Sequence, residues 1–241
     1  MEKISVSQYY DLLKTVNTPV VIMGTPGISK TSIPAQVAEE VGGVSCVIPV
    51  AQFSETGDML GCPDVVEVME EDEHGNEVKK SKTVYSPPDY FPTHGKGIVV
   101  FDDFNRANTL IIQSLLHLAQ YREFGSYRIP DLKFDKKGNW ISGYKLVFTG
   151  NVADGDSEEE YITNEVDNAF YSRTICFKLE FDKLMWGKWA RKEGIDEKFI
   201  SFILKNPEHV DVKNNPRAWS NGFLELKGNI ILIIFNLLCL V

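Results

Sequence analysis

The sequence predicts an α/β fold in which helices cover both faces of a central parallel sheet. Three short runs, residues 20–23, 98–101 and 145–149, are rich in apolar side chains, as strands buried on both faces are. The first two runs lead into stretches whose apolar residues recur at helical spacing, which is the order of strand and helix in a parallel sheet. Two further helical patterns near the carboxyl end predict a small helical unit after the sheet.

The composition is that of an ordinary globular chain. Of its 241 residues, 43% are hydrophobic and 24% are charged, which suits one large domain, alone or with a smaller piece. The formal net charge is −9 and the pI is near 5.0. Because binding to phosphate groups requires basic surface, this balance disfavours a protein that coats nucleic acid, although it leaves room for a local basic patch.

The cysteines and the two ends of the chain bear on location. The four cysteines form no C-x-x-C pair, which disfavours a zinc site and predicts a reduced, cytoplasmic protein. The polar, amphipathic amino-terminal residues predict no signal peptide. The apolar run 230–241 would be about 18 Å long as a helix, against a hydrocarbon core of about 30 Å. A buried terminal helix or strand is therefore favoured over a membrane span, and a truncated or frame-shifted end is the remaining interpretation.

The amino-terminal elements follow from local patterns. Residues 4–16 place apolar side chains near helical spacing, which predicts an amphipathic helix before the first strand. A second helix is predicted over 30–41, where two glycines end it. Residues 44–50 are the next strand candidate, and 52–66 have the composition of a loop with a short helix.

The middle of the chain predicts two hairpins around a strand and a helix. Residues 65–85 alternate around a charged, polar tip, which is typical of an exposed β-hairpin. The proline-rich stretch 86–92 is a rigid connector to the strand at 98–101. A helix is predicted over 105–121, and a second hairpin over 124–140.

The carboxyl-terminal third is predicted to be mainly helical. Residues 154–163 are acidic and are expected to form a mobile loop, followed by a strand over 174–179. Helical spacing resumes over 181–192 and 196–205.

The most informative stretch is GTPGISKTS, which follows the first apolar strand and opens a helix. A strand, a glycine-rich turn and a Lys-Thr pair at a helix start can cradle a nucleoside triphosphate with backbone N–H groups. In that interpretation Lys30 reaches the β- and γ-phosphates and the Thr31 hydroxyl binds Mg²⁺. Ser29 replaces the glycine of the full motif, and an ordinary strand–turn–helix corner is the alternative. The predicted binding residues are Gly24, Thr25, Pro26, Gly27, Ile28, Ser29, Lys30, Thr31 and Ser32.

Polar residues follow two of the predicted core strands. Asp102 and Asp103 come directly after an apolar run, which delivers two carboxylates to the edge of the sheet where ligands bind in α/β folds. We expect Asp102 to bind Mg²⁺ and Asp103 to orient the attacking water. Asn151 follows the strand at 145–149, where its amide can hydrogen-bond water or the γ-phosphate. A solvated turn is the alternative for each.

A further cation is predicted at a helix start. Asn215 suits an N-cap and Pro216 the first helical position, which places Arg217 in the first turn. The helix dipole disfavours a cation there, so a nearby anion would explain Arg217 well. A solvated arginine is the alternative.

Taken together, these motifs resemble the AAA+ ATPases, and among them the MoxR-like branch. GTPGISKT resembles the Walker A loop, and IVVFDDFNRA resembles Walker B. Gly150-Asn151 resembles sensor 1, VDNAFYSR the segment with the arginine finger, and NPRAW the sensor 2 helix. The resemblance covers about residues 15–222 and implies an αβα P-loop core, which we place over 1–180, followed by a partial helical lid with an apolar tail over 181–241.

The resemblance also implies a mode of action. ATP with Mg²⁺ would lie between subunits of a homo-oligomeric ring, commonly a hexamer. Arg173 would stabilise charge on the γ-phosphate in the neighbour's site, and Arg106 is a second candidate for this contact. Members of the branch remodel protein partners as chaperone-like ATPases, often with a von Willebrand A-domain partner.

Two other functions remain open at this stage. Ser29 replaces a glycine, Asp103 is shorter than the glutamate usual in the family, and the predicted lid is incomplete. These three features favour a nucleotide-binding switch with little turnover. The wider kinship admits a nucleic-acid motor or a GTP-cleaving restriction subunit, which the acidic balance disfavours.

Overall fold

The computed structural model describes residues 1–152, 164, 166–206 and 215–226. The strands are β1 (Glu2–Ile4), β2 (Val20–Gly24), β3 (Val44–Ile48), β4 (Cys62–Glu71), β5 (Glu77–Ser86), β6 (Lys96–Phe101), β7 (Glu123–Phe124), β8 (Tyr127–Arg128), β9 (Lys133–Phe134), β10 (Trp140–Asn151) and β11 (Ile175–Leu179). The α-helices are α1 (Val6–Thr15), α2 (Ser32–Glu40), α3 (Gly57–Leu60), α4 (Thr109–Tyr121), α5 (Asn168–Tyr171), α6 (Lys183–Lys192), α7 (Glu197–Lys205) and α8 (Pro216–Leu226). Short 3-10 turns lie at Val50–Gln52 and Phe104–Arg106.

A parallel sheet forms the centre of the fold, as predicted. Its strands lie in the order β1-β11-β2-β10-β6-β3, every neighbouring pair is parallel, and β9 adds an antiparallel strand to β10. Because parallel neighbours are joined by crossovers, the helices cover the two faces of the sheet.

The core strands are apolar throughout because both of their faces are buried. Along β2, Val21 packs into a cluster with α4, whereas Val20 and Ile22 pack into a cluster with α1 and α2. Each of these three side chains is at most 1% exposed. The continuous apolar runs therefore indicate a three-layer arrangement, in which the sheet lies between two layers of helices.

The helices after β11 form a cluster of their own. Trp186 of α6 packs with Phe199 and Ile200 of α7, and Phe223 of α8 packs against the same group. Trp186 Nε1 also donates to Ser220 Oγ at 3.2 Å, which joins α6 to α8. We call this helical cluster the lid, because it occupies the place in the chain where the partial lid is predicted.

Three elements differ from their predicted forms. The helix expected from residue 105 begins at Thr109 instead, because Asn108 caps it through the Ile111 N–H. Of the hairpin expected over 124–140, the part around the predicted tip at 136–139 is present as β9 paired with β10, whereas β7 and β8 form a separate small hairpin before it. A short strand, β1, precedes α1, since Ser5 ends the strand and caps the helix.

The hairpin of β4 and β5 is present with the predicted polar tip. Asp72 closes this tip by accepting hydrogen bonds from the backbone N–H groups of His74 and Asn76, both at 2.8 Å. No helix in the described part of the chain is both long and apolar enough to cross a membrane. The expectations for the acidic loop 154–163 and the apolar tail 230–241 fall outside the described residues.

Candidate functional site

The carboxyl ends of three neighbouring strands meet at one edge of the sheet. β2 ends at Gly24, which pairs with Asn151 at the end of β10, and Phe101 at the end of β6 pairs with Phe148. The loop after β2, the two aspartates after β6 and the predicted sensor asparagine therefore lie together. In parallel sheets this is the edge at which ligands bind.

Lys30 lies at the centre of this edge. Its Nζ donates to Gly24 O and Thr25 O, both at 2.9 Å, and to Asn151 Oδ1 at 3.0 Å. The residue is only 7% exposed, yet its three donors all have acceptors. The lysine thus links the loop to the end of β10.

The charges around Lys30 compete. Burial lowers its pKa to about 8, the carboxylates of Asp103 and Asp102 oppose that decrease, and the cation of Arg217 adds to it. Arg217 lies in the first turn of α8, as predicted, where the helix dipole also disfavours a cation. An anion between these two cations would stabilise both.

Asp102 accepts hydrogen bonds from two hydroxyl groups. Thr31 Oγ1 donates to Asp102 Oδ1 at 2.9 Å, and Thr149 Oγ1 donates to the same oxygen. A hydroxyl and a carboxylate are hard oxygen ligands of the kind Mg²⁺ prefers, and in nucleotide sites phosphate oxygens and water complete the shell. The pair therefore fits a magnesium ion held with a nucleotide, although no cluster of three His, Cys, Asp or Glu suited to a metal occurs in the described segments.

Asp103 is held in an uncommon backbone conformation beside Asn151. Its φ is 52°, in the left-handed region, which an aspartate adopts more readily than most residues. Asn151 Nδ2 donates to Asp103 Oδ1 at 2.8 Å, and Arg106 lies 3.7 Å from the other carboxylate oxygen. The Asn151 amide therefore bridges the Lys30 ammonium and the Asp103 carboxylate.

The loop itself contains two left-handed residues. Gly27 has φ 77° and Ser29 has φ 73°. For a residue with a side chain this conformation costs about 1–2 kcal/mol, so Ser29 strains the loop where a glycine would not. Gly27 faces α8, since a Cβ atom placed on it would lie 2.3 Å from Asn215 Oδ1.

The start of α2 is open toward the loop. The Thr31 side chain makes no capping hydrogen bond, because its hydroxyl donates to Asp102. The first N–H groups of a helix have no partners within the helix, and together with the dipole they favour an anion. From the other side, the buried Tyr9 hydroxyl donates to Lys30 O at 3.2 Å.

A cavity of about 260 Å³ lies between the loop and the lid. Its apolar wall includes Ile28, Phe181, Met185, Trp186 and Trp189. Polar residues from α2 and α8 line the rest, namely Ser32, Gln36, Arg217, Ser220 and Asn221. A flat aromatic group joined to a phosphate chain fits such a lining.

Arg173 is the predicted site residue that the structure does not bring to this edge. It precedes β11, whose Ile175 pairs with Val20 at the opposite end of β2 from Gly24. That separation is about 13 Å along the strand. Its guanidinium donates to Gln120 Oε1 and Ala169 O, both at 2.6 Å.

Sequence reasoning missed three residues that contact the site. The sequence pattern assigns Asn105 to a helix, whereas in the structure it is buried and hydrogen-bonded to Asn151. The sequence pattern assigns Thr149 only to a strand and Tyr9 only to a helix. A hydroxyl or amide two residues from a predicted site residue is the signal that could have found two of them, since Asn105 is two residues from Asp103 and Thr149 is two residues from Asn151.

Comparison with known proteins gives one family and a set of folds. The family model described as "AAA domain (dynein-related subfamily)" matches residues 19–174. No curated protein matches the sequence.

Solved structures resemble the fold. NtrX from Brucella abortus in complex with ADP has a TM-score of 0.50 at 11% identity, covering 90% of this chain and 46% of that one. The RuvB Holliday junction branch migration motor of Thermotoga maritima has a TM-score of 0.50 at 15% identity, covering 95% of this chain and 62% of that one. The chain thus spans about half to three fifths of the length of these structures, and at such identities the likeness concerns the fold alone.

Proposed function

Since this chain belongs to the dynein-related subfamily of AAA domains, we propose that it binds ATP with Mg²⁺ and hydrolyses it to remodel a protein partner. The observation behind this proposal is the bridge formed by Asn151, which joins the Lys30 ammonium to the Asp103 carboxylate at the carboxyl edge of the sheet. A cation, a carboxylate and a neutral amide within hydrogen-bonding distance are the groups that phosphoryl transfer to water requires.

In the proposed site, the nine residues of the loop hold the phosphates. The start of α2 offers N–H groups, and Lys30 exchanges some of its protein acceptors for phosphate oxygens. Thr31 and Asp102 would hold Mg²⁺, which neutralises charge on the phosphates when bound. These residues bind and orient the triphosphate.

Asp103 and Asn151 act on the attacking water. A carboxylate within hydrogen-bonding distance of a water orients it and accepts its proton. Asn151 keeps the Asp103 carboxylate in place through its Nδ2 group, at 2.8 Å. Once a phosphate replaces Asn151 as a partner of Lys30, the freed Oδ1 is available to the water.

The base would lie in the cavity between the loop and the lid. Its apolar wall of Phe181, Trp186 and Trp189 offers stacking and apolar contact. Arg217, on the opposite side, would stabilise the negative charge of the phosphates. In this proposal the described residues up to 180 form the core, and the described residues from 181 to 226 form the partial lid.

We further propose that the protein works as a ring of MoxR-like type, commonly a hexamer, with a protein substrate or a von Willebrand A-domain partner. Arg173 lies near the end of the sheet opposite its own loop, which leaves it to contact the γ-phosphate of a neighbour. Arg106 is the alternative trans residue, since it lies beside Asp103 at the site's edge. A net charge of −9 supports a protein partner over nucleic acid.

A nucleotide-binding switch with little turnover is the second candidate. Ser29 at φ 73° strains the phosphate loop. Asp103 is one methylene shorter than the glutamate usual in the family, so its carboxylate is retracted by about 1.5 Å, and a misplacement of about 1 Å can cost on the order of 100-fold in rate. Both features affect hydrolysis more than binding.

The test is phosphate release from Mg-ATP by the wild type and Lys30→Ala. Loss of the ammonium is expected to lower turnover by about 100-fold or more, because it acts on charge that develops at the phosphates. Lys137→Ala, at the exposed turn between β9 and β10, is the matched control and should leave the rate unchanged. Equal rates for wild type and Lys30→Ala would contradict the ATPase, and tight ATP binding without phosphate release would favour the switch.

A further inference from the structure

We propose that Asn105 is a positioning residue that sets the Asn151 amide between Lys30 and Asp103. Its own side chain does not touch either charged group, so it acts through Asn151. The inference rests on the proposed function for its effect on turnover, whereas the geometry can be tested without nucleotide.

Asn105 replaces a missing strand partner at the end of β10. The pairing of β10 with β6 stops at Phe148, opposite Phe101, although β10 continues for three more residues to Asn151. On that side, Asn105 Nδ2 donates to Asn151 O at 2.8 Å, and Asn105 Oδ1 accepts from Asn151 N at 3.2 Å. A side-chain amide has the same donor and acceptor as a peptide group, so Asn105 continues the ladder by one step.

Two observations indicate that this contact is built closely. Asn105 is only 3% exposed. At Gly150, a Cβ atom would lie 2.9 Å from Asn105 Oδ1 and 2.6 Å from Met23 Sδ. The glycine before Asn151 therefore permits the Asn105 side chain to approach the strand.

The Asn151 side chain has a defined direction because its two ends face opposite charges. Oδ1 accepts from Lys30 Nζ at 3.0 Å, and Nδ2 donates to Asp103 Oδ1 at 2.8 Å. A shift of the Asn151 backbone would move both contacts together. Misplacement of a catalytic group by about 1 Å can cost on the order of 100-fold in rate. Loss of Asn105, which holds this backbone, should therefore lower the rate of hydrolysis.

The same turn also holds Asn164, the described residue beyond the gap at 153–163. Asn164 N donates to Asn105 O at 2.8 Å, and Asn164 Nδ2 donates to Ala107 O at 2.6 Å. The turn after β6 therefore binds the chain on both sides of that segment. Asn105 contacts Asn151 with its side chain and Asn164 with its backbone.

The test compares Asn105→Ala with Asn108→Ala. Asn108 is the matched control: it caps α4 through Ile111 N and donates to Ser54 O, with no hydrogen bond to Asn151. The first readout is the NMR signal of the Asn151 side-chain NH₂ group, identified by its loss in Asn151→Asp. In Asn105→Ala this signal is expected to shift toward that of an exposed amide and to exchange with water at least about tenfold faster, whereas Asn108→Ala should leave it in place.

The second readout is the split between kcat and the dissociation constant for Mg-ATP. Asn105→Ala is expected to lower kcat by about 10–100-fold and to change nucleotide affinity less than about threefold, because the loop residues are untouched. Asn105→Asp keeps the size and the acceptor but loses the donor, and it should shift both readouts in the same direction if the alanine variant does not fold.

The outcomes separate this inference from the proposed function. An unchanged Asn151 signal in both Asn105 variants overturns the inference, as does an equal loss of kcat in Asn108→Ala. If the wild type releases no phosphate, the ATPase proposal fails, and the NMR signal alone decides the role of Asn105.

Discussion

Lys30 meets three protein oxygens in the structure, so its ammonium has all of its donors bonded before any nucleotide arrives. When a nucleotide binds, phosphate oxygens would replace some of these protein acceptors. Because Lys30 is already buried, binding would not require the removal of water from its ammonium group. Burial nevertheless lowers its pKa to about 8, with Asp103 and Asp102 opposing the decrease. Binding of a triphosphate and protonation of Lys30 should therefore be linked.

At the scale of this residue we predict proton uptake on nucleotide binding at high pH. The free amine loses its proton above pH 8, whereas negative phosphates raise the pKa of the bound amine. Between those two pKa values the complex holds up to about one proton more than the free protein, so affinity falls by up to about tenfold per pH unit. Calorimetry at pH 9, in buffers that differ in ionisation enthalpy, measures the proton directly.

Lys145 provides the control for this linkage. Burial also lowers its pKa to about 8, and its Nζ donates to Val16 O. It lies six residues before Asn151 on β10, about 20 Å away. The Lys145→Met variant should still take up a proton when nucleotide binds. If proton uptake disappears in this variant, the proton belongs to Lys145 and the prediction for Lys30 is wrong.

At the scale of elements, the loop after β2 and the start of α8 form one contact. Asn215 caps α8 by accepting from Ala218 N at 3.0 Å, and the same Oδ1 atom faces Gly27 of the loop. The helix of the lid is thereby placed against the loop that would hold the phosphates. A side chain at position 27 would disturb both elements together.

We predict that Gly27→Ala destabilises the protein more than Gly75→Ala. Both glycines have φ near 80°, so alanine costs about 1 kcal/mol of backbone strain at either position. Only at Gly27 would the new Cβ meet another group, at 2.3 Å from Asn215 Oδ1, whereas Gly75 has no described atom within 4 Å. Urea unfolding should give a loss in free energy of unfolding at least about 1 kcal/mol larger for Gly27→Ala.

Nucleotide binding completes this comparison. Gly27→Ala should also weaken nucleotide binding, since the loop and α8 line the same cavity. Gly75→Ala lies in the tip of the β4–β5 hairpin and should leave it unchanged. Equal losses of stability in the two variants would show that Asn215 moves aside freely.

At the scale of the whole molecule, Arg173 lies at the wrong end of the sheet to reach the loop of its own chain. A role in catalysis therefore requires a second copy. Arginines supplied in trans are worth about 10³–10⁵ in rate in related P-loop enzymes. The proposed ring and the proposed role of Arg173 depend on each other.

We predict that mixing two inactive variants restores activity. In Lys30→Ala subunits the arginine is intact, and in Arg173→Ala subunits the loop is intact. A mixed ring then contains interfaces with both groups, up to about a quarter of all interfaces for random equal mixing. Phosphate release by the mixture, set against each variant alone, measures the recovery.

Arg106→Ala is the comparison for this experiment. If Arg106 is the trans residue, mixing with Lys30→Ala should restore activity for the Arg106 variant instead. The ring is contradicted if neither mixture recovers activity and the mass of the protein in solution remains that of a monomer in the presence of ATP.

Much of the fold could be predicted because local sequence patterns determine its strands and helices. The apolar runs at 20–23 and 98–101 predicted buried parallel strands, and the pair Asn215-Pro216 predicted the start of α8. The predicted hairpin at 65–85 is also confirmed. The errors fell at 105–121 and 124–140, where caps and turns between short elements depend on contacts with the rest of the protein.

Residue patterns alone predicted the order of strands and helices along the chain, the loop after β2 and the two aspartates after β6. These are properties of residue spacing, which local sterics and burial translate directly into structure. The folded chain was needed to see that Asn105 meets Asn151, that Thr149 meets Asp102, and that Arg173 lies far from the loop. Such contacts join residues distant along the chain, and they depend on which strands are neighbours in the sheet and on where each strand ends, so the pattern of one segment does not predict them.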